Sequence, residues 1–126
     1  MLPDQTILIV DDERSIRRLA EDILRRAGYA AVSKESAAAA LEWWAVNQAR
    51  VPLVITDTVM PGGSGPEMLL RMRQDRPDLP AIVMSGYIEH HGTVAEIQSS
   101  DAFLQKPFTP DQLRRAVVDK LQARVD

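Results

Sequence analysis

Short apolar runs alternate along the chain with longer amphipathic ones, and this alternation limits the fold more than any other feature. Residues 7–10 form a continuous apolar run of strand length. Ile16, Leu19, Ala20, Ile23, Leu24 and Ala27 then recur at helical spacing among arginines and acids, and Gly28 stands where a helix end calls for a left-handed residue. Residues 29–32 predict a second strand. Ser36 is placed to N-cap a helix over 37–46 that Asn47 and Pro52 bring to an end. On that helix Leu41, Trp44 and Ala45 share a face with Ala37 and Ala38, which assigns Trp44 to the core and Trp43 to its edge or to solvent. Residues 51–56 predict a third strand, followed by a Pro-Gly-Gly turn. Ser64-Gly-Pro-Glu67 then has the form of a capping box, opening a helix with Met68, Leu69 and Met72 inside. After Pro77 and Pro80 come a fourth strand (81–84), a weak helix over 88–100 interrupted by Gly92, and a fifth strand (102–104). Thr109-Pro-Asp-Gln112 is a second capping box, with Leu113, Ala116, Val117 and Leu121 as the inner face of the last helix.

Five strands alternating with five helices, on connections too short for a second domain, predict an α/β fold. The expected architecture is a (βα)5 unit, a doubly wound parallel sheet covered on both faces, in a single domain over residues 1–126. A length of 126 residues suits one core, and 45% hydrophobic with 26% charged residues excludes a disordered chain. The absence of cysteine removes disulfides, thiolate nucleophiles and cysteine-ligated zinc, and it suits a reducing cytoplasm. His90 and His91 are the only histidines and are adjacent, so a histidine-rich metal site is excluded. No apolar run approaches the roughly 18 residues of a membrane span, and the N-terminus lacks the basic and apolar regions of a signal peptide. A formal charge of −3 gives no general attraction to nucleic acid. Arg14, Arg17, Arg18, Arg25 and Arg26 are interleaved with Glu13, Glu21 and Asp22, and read as a solvated helix face.

The polar residues that remain fall at predicted strand ends. Asp11, Asp12 and Glu13 follow the first strand, Asp57 ends the third, Ser85 follows the fourth and Lys106 the fifth. In a parallel sheet these ends share one edge, the edge where open α/β sheets bind ligands. Taken alone, Asp12 reads equally well as a helix N-cap, Ser85 as a turn residue and Lys106 as a solvated lysine. Their convergence is the stronger signal. Carboxylates brought close together repel unless a cation lies among them, and oxygen-only ligands point to Mg2+ or a similar hard ion. A lysine beside such a site suits a phosphoryl group. The residues therefore point to phosphoryl transfer, with Asp57 as either ligand or nucleophile.

These residues carry a resemblance to receiver domains of the two-component response-regulator family. The carriers are Asp11-Asp12, Asp57 in DTVMPGGSGPE, Ser85 in MSGY and Lys106-Pro107 in AFLQKPF. The resemblance implies a flavodoxin-like sheet of strand order 2-1-3-4-5. It implies that Asp57 accepts a phosphoryl group from a phosphohistidine on a histidine kinase or histidine phosphotransfer protein. Mg2+ would be held by Asp12, Asp57 and the main-chain oxygen of Val59, with Asp11 acting through water. Lys106 would pair with the phosphoryl group, and Ser85 would hydrogen-bond it. Phe103 corresponds to the family's switch aromatic, here without a phenolic hydroxyl. Val59 and Tyr87, two residues beyond Asp57 and Ser85, would modulate the phosphoryl lifetime. The resemblance also implies a cytoplasmic protein that is a monomer or a weak phosphorylation-dependent dimer and does not itself bind nucleic acid.

An Asp-nucleophile phosphohydrolase of the haloalkanoate-dehalogenase type would need a second acid at position 59, where this chain has valine. Two contexts for a receiver stay open. One is a stand-alone or hybrid-kinase receiver, and the other is the input domain of a longer DNA-binding response regulator.

Overall fold

The computed structural model describes residues 5–86 and 101–123. Its elements in chain order are β1 (Thr6–Val10), α1 (Arg14–Arg26), β2 (Ala30–Lys34), α2 (Ala37–Asn47), β3 (Val54–Asp57), α3 (Gly65–Asp75), β4 (Ala81–Ser85), β5 (Ala102–Gln105) and α4 (Pro110–Ala123). The expected weak helix over 88–100 and Tyr87 lie outside the described residues. Every pairing within the main sheet is parallel, and the strand order is β2-β1-β3-β4-β5. This is the flavodoxin-like topology expected from the sequence. Among the described residues, no helix is long and apolar enough to cross a membrane.

The strands alternate in which face they serve, as a period of two requires. Ile7, Ile9, Ile55 and Ile82 pack with Ile23 and Leu24 of α1 and Leu113 and Val117 of α4. Leu8, Val10, Val54 and Val83 pack on the other face with Trp44 of α2 and Met68, Leu69 and Met72 of α3. A chain with both strand faces buried reads as an unbroken apolar run, which is why β1 and β4 were visible without alternation.

The helix ends follow local chemistry. Gly28 adopts φ +97° just past α1, and the Ser36 hydroxyl accepts the Ala39 N–H at 3.0 Å. At α3, Ser64 accepts the Glu67 N–H at 3.1 Å, and the Glu67 carboxylate accepts the Ser64 N–H at 3.4 Å. Thr109 and Gln112 repeat the reciprocal pair at 2.9 and 3.1 Å. Both capping boxes therefore form as expected.

Several expectations need correcting. Leu19 is 41% exposed, because Ile16, Ala20, Ile23 and Leu24 already fill the stripe facing the sheet; Ala27 is the exposed C-cap residue. On α2 the residue buried beside Trp44 is Ala40, while Ala38 and Ala45 face solvent. Trp43 is half-buried against the same cluster. The second strand starts at Ala30 and runs on through Ser33 and Lys34, because their backbones pair with Ile9 and Val10. The third strand begins at Val54, two residues after Pro52, which has no N–H to give a ladder. The Pro-Gly-Gly segment closes a small antiparallel ribbon, Val59–Met60 against Gly63–Ser64, with Pro61 and Gly62 (φ +85°) at its turn.

Candidate functional site

Strand order reverses about β1, which has β2 on one side and β3 on the other, and the carboxyl ends of all five strands share one edge. Asp11 follows β1 and is fully buried. Its N–H donates to the Lys34 carbonyl at 3.2 Å, and its Oδ1 accepts the Glu13 N–H at 2.9 Å. Asp57 is the last residue of β3, opposite Met84, and is 9% exposed. Its Oδ1 accepts the Thr58 N–H at 2.9 Å, while the Thr58 hydroxyl donates to the Met84 carbonyl at 2.7 Å. Beyond β5, the Lys106 N–H donates to the Ser85 carbonyl at 2.8 Å, which brings the lysine over the end of β4. Lys106 Nζ then lies 2.7 Å from Asp11 Oδ2, 3.3 Å from Asp57 Oδ1 and 3.9 Å from Glu13 Oε1. The Lys106–Pro107 peptide bond is cis.

Asp12 is exposed at the rim. It is not the helix cap: Glu13 holds the N-cap position of α1 without a side-chain bond. Asp11, Asp12 and Asp57 each offer a carboxylate oxygen, and these atoms lie within 4.8 Å of one another. Asp11 Oδ2 is buried, and its close neighbour is the Lys106 ammonium at 2.7 Å. Three converging carboxylates, all oxygen donors, form a set suited to a hard dication.

A cavity of about 240 Å³ opens over Asp57, with Ser85 and Lys106 on its wall and Glu13 and Val59 beside them. Ser85 is buried at the end of β4, and Val59 is 66% exposed. Phe103 sits on β5 outside this cavity and is 61% exposed, facing outward. The structure thus brings Asp11, Asp12, Asp57, Ser85 and Lys106 together, with Val59 at the rim and Phe103 apart.

Burial raises the Asp57 pKa above the ordinary carboxylate value, and the Asp11 charge adds to it; Lys106 and the Thr58 N–H offset only part of this. Burial acts to lower the Lys106 pKa, but its contacts with Asp11 and Asp57 outweigh that, and the net shift is upward. Lys106 is therefore a firm cation, beside a carboxylate whose charge is costly.

Sequence reading passed over Thr58 and assigned Gly65 only a place in the capping box. Gly65 N–H donates to the Thr58 carbonyl at 2.9 Å, and a Cβ there would sit 2.0 Å from the Asp57 carbonyl oxygen and 2.8 Å from Thr56 Oγ1. The start of α3 is packed directly onto the backbone of the site, and only glycine fits. Gly65→Ala is expected to cost about 1–3 kcal/mol by overpacking, displacing Asp57 as it does so. Thermal melts measure the loss, and the Asp57 and Thr58 amide resonances report the displacement.

The model for the response regulator receiver domain matches residues 7–118. The sensor kinase CckA of Brucella abortus is 35% identical over 120 residues, covering 93% of this chain and 12% of that protein. The DNA-binding transcriptional regulator NtrC of a Bradyrhizobium strain is 36% identical over 116 residues, covering 89% of this chain and 23% of its own length. The response regulator TrrA of Thermotoga maritima, solved in complex with Mg(2+)-BeF, superposes with a TM-score of 0.81 at 31% identity, covering 93% and 99% of the two chains. The chain belongs to the response regulator receiver domain family, the receivers of two-component phosphorelays. It spans less than a quarter of the length of the CckA and NtrC proteins.

Proposed function

We propose that Asp57 is the phosphoacceptor, taking a phosphoryl group from a phosphohistidine on a histidine kinase or histidine phosphotransfer protein. One observation carries this reading: Lys106 Nζ stands 3.3 Å from Asp57 Oδ1 and 2.7 Å from Asp11 Oδ2. An acid at a strand end, a second acid and a lysine thus meet at the sheet edge, under an open cavity.

In the step itself a carboxylate oxygen of Asp57 forms a bond to phosphorus as the P–N bond breaks. The electron pair returns to the imidazole nitrogen of the donor, which takes up a proton. Lys106 stays protonated and gives its charge to the phosphoryl oxygens, and the Ser85 hydroxyl donates to one of them. Asp12, Asp57 and the main-chain oxygen of Val59 would hold Mg2+, and Asp11 would assist through water. When bound, it cancels the repulsion among the carboxylates and screens the phosphoryl charge. Phe103, now outward, turns inward when Ser85 engages the phosphoryl group, and Val59 and Tyr87 set access of water to it. In this reading residues 1–126 act as one cytoplasmic receiver, monomeric or weakly dimeric when phosphorylated. The similarity to NtrC keeps a place in a longer DNA-binding regulator as a second reading, beside a stand-alone or hybrid-kinase receiver.

Acetyl phosphate with Mg2+ is expected to add one phosphoryl group to the peptide containing Asp57, read by mass spectrometry. Mapping of the label elsewhere, or labelling that is indifferent to Mg2+, overturns the reading. Mg2+ at about ten times its Kd is expected to stabilise the fold by about 1.4 kcal/mol. Asp12→Ala should abolish most of that gain in thermal melts.

A further inference from the structure

We infer that Arg17 is a positioning residue for the acidic loop, acting through the main-chain carbonyl of Asp11; the inference rests on the cation site proposed above. The sheet ladder of β1 ends at Val10, so the Asp11 carbonyl has left the hydrogen-bonding pattern that orients the strand. Arg17, one turn into α1 and half-buried, donates from Nη1 to that carbonyl at 2.7 Å. Asp11 is held at three other points, its N–H by the Lys34 carbonyl, its Oδ1 by the Glu13 N–H and its Oδ2 by the Lys106 ammonium. Arg17 thus supplies the remaining hold, on the peptide that joins Asp11 to Asp12.

That peptide is planar, so fixing its C=O direction also fixes the Cα of Asp12. Asp12 is exposed and has no capping bond of its own, yet its carboxylate oxygen must reach the same point as those of Asp11 and Asp57. The other arginines of α1 do different work: Arg26 pairs with Asp22 and Arg25 with Glu21 across helical turns. Arg17 alone among the described arginines of α1 has a bond to the acidic loop.

The charge of Arg17 and its hydrogen bond pull in opposite directions, which makes the inference testable by sign. A cation near the acids opposes binding of a dication, so if only charge mattered, removing it would tighten Mg2+ binding. If the bond positions the loop, removing it loosens binding. Mg2+ affinity is to be measured by titration calorimetry at a temperature where melts show every variant folded.

Wild type should bind Mg2+; no binding at all would overturn the cation-site reading itself. Arg17→Met, which keeps the aliphatic stem, is expected to weaken binding about tenfold, the scale typical of groups that orient metal ligands. Arg17→Lys, which can still donate one hydrogen bond, should recover most of that loss. Arg18→Ala removes the same charge from the exposed side of the helix and should leave affinity unchanged or slightly tighter. In metal-free protein, the amide resonances of residues 11–13 should shift in Arg17→Met and stay near wild type in Arg18→Ala. Unchanged or tighter Mg2+ binding in Arg17→Met, with wild type binding normally, overturns the positioning role alone.

Discussion

Arg73→Met is expected to lower stability by about 3–5 kcal/mol, a fall of roughly 10–20 °C in melting temperature for a domain of this size. Arg73, on α3, makes a two-pronged pair with Asp101, at 2.6 Å from Nη2 to Oδ1 and 3.1 Å from Nη1 to Oδ2. The same guanidinium donates to the Leu79 carbonyl, from Nη2 at 2.8 Å and from Nε at 3.2 Å. Both side chains are almost wholly out of water, at 7% and 1% exposure. Charges so deeply buried are tolerated only because each oxygen and nitrogen is matched, so removing the cation strands a carboxylate in a low-dielectric setting. Asp101→Asn should cost less, because the amide keeps one acceptor for the guanidinium. Replacing both residues by apolar ones should recover part of the loss, the Leu79 carbonyl remaining unsatisfied. Equal stability of Arg73→Met and wild type in denaturant melts would show that the pair is not formed in solution.

Asp57→Asn is expected to abolish phosphorylation by acetyl phosphate, since an amide oxygen of nearly the same shape is a very poor nucleophile. It is also expected to raise the stability of the metal-free protein at neutral pH. Burial and the Asp11 charge raise the Asp57 pKa in the native state, so the native protein holds that proton more tightly than the unfolded chain does. The stability tied to that proton is fully present below the unfolded aspartate pKa of about 3.9 and is lost as pH rises through the native value. Asparagine does not titrate. The advantage of the mutant should therefore be small near pH 4 and grow towards pH 7, each kcal/mol appearing as about 3–5 °C in the melt. Mg2+ should narrow the gap by stabilising wild type alone. A mutant that is less stable at pH 7 than at pH 4, relative to wild type, would mean that Asp57 is held more favourably as an anion than its burial implies.

Local chemistry made much of this legible in advance. Both capping boxes, the Ser36 cap and the positive φ of Gly28 depend on residues within four positions of one another, so a short window contains everything that decides them. The strand cores were equally plain, because a strand buried on both faces admits almost nothing but aliphatic side chains. The burial of Leu19, Ala38 and Ala45 was misjudged for the opposite reason: a helix offers several plausible inner stripes, and the neighbouring sheet selects one. The same limit applied to the arginines of α1, read as one solvated face until Arg17 was found bonded to the Asp11 carbonyl.

By itself the sequence determined the alternation of strand and helix, the caps that bound the helices, and the acids, hydroxyl and lysine that fall at strand ends. Those are consequences of residue type and spacing along the chain. Tertiary structure alone decided that Lys106 reaches both Asp11 and Asp57, nearly 100 and nearly 50 positions away in sequence, because the contacts exist only once the parallel sheet has set those strand ends side by side. It also decided that position 65 must be glycine, since the obstacle is the Asp57 carbonyl and not any neighbour in the chain. The pairing of Arg73 with Asp101 belongs to the same class: two charged residues 28 positions apart become a buried contact only once α3 is packed on the sheet. Interactions that close over a few residues are written in the local sequence, and those that close over tens of residues exist only after the sheet has formed.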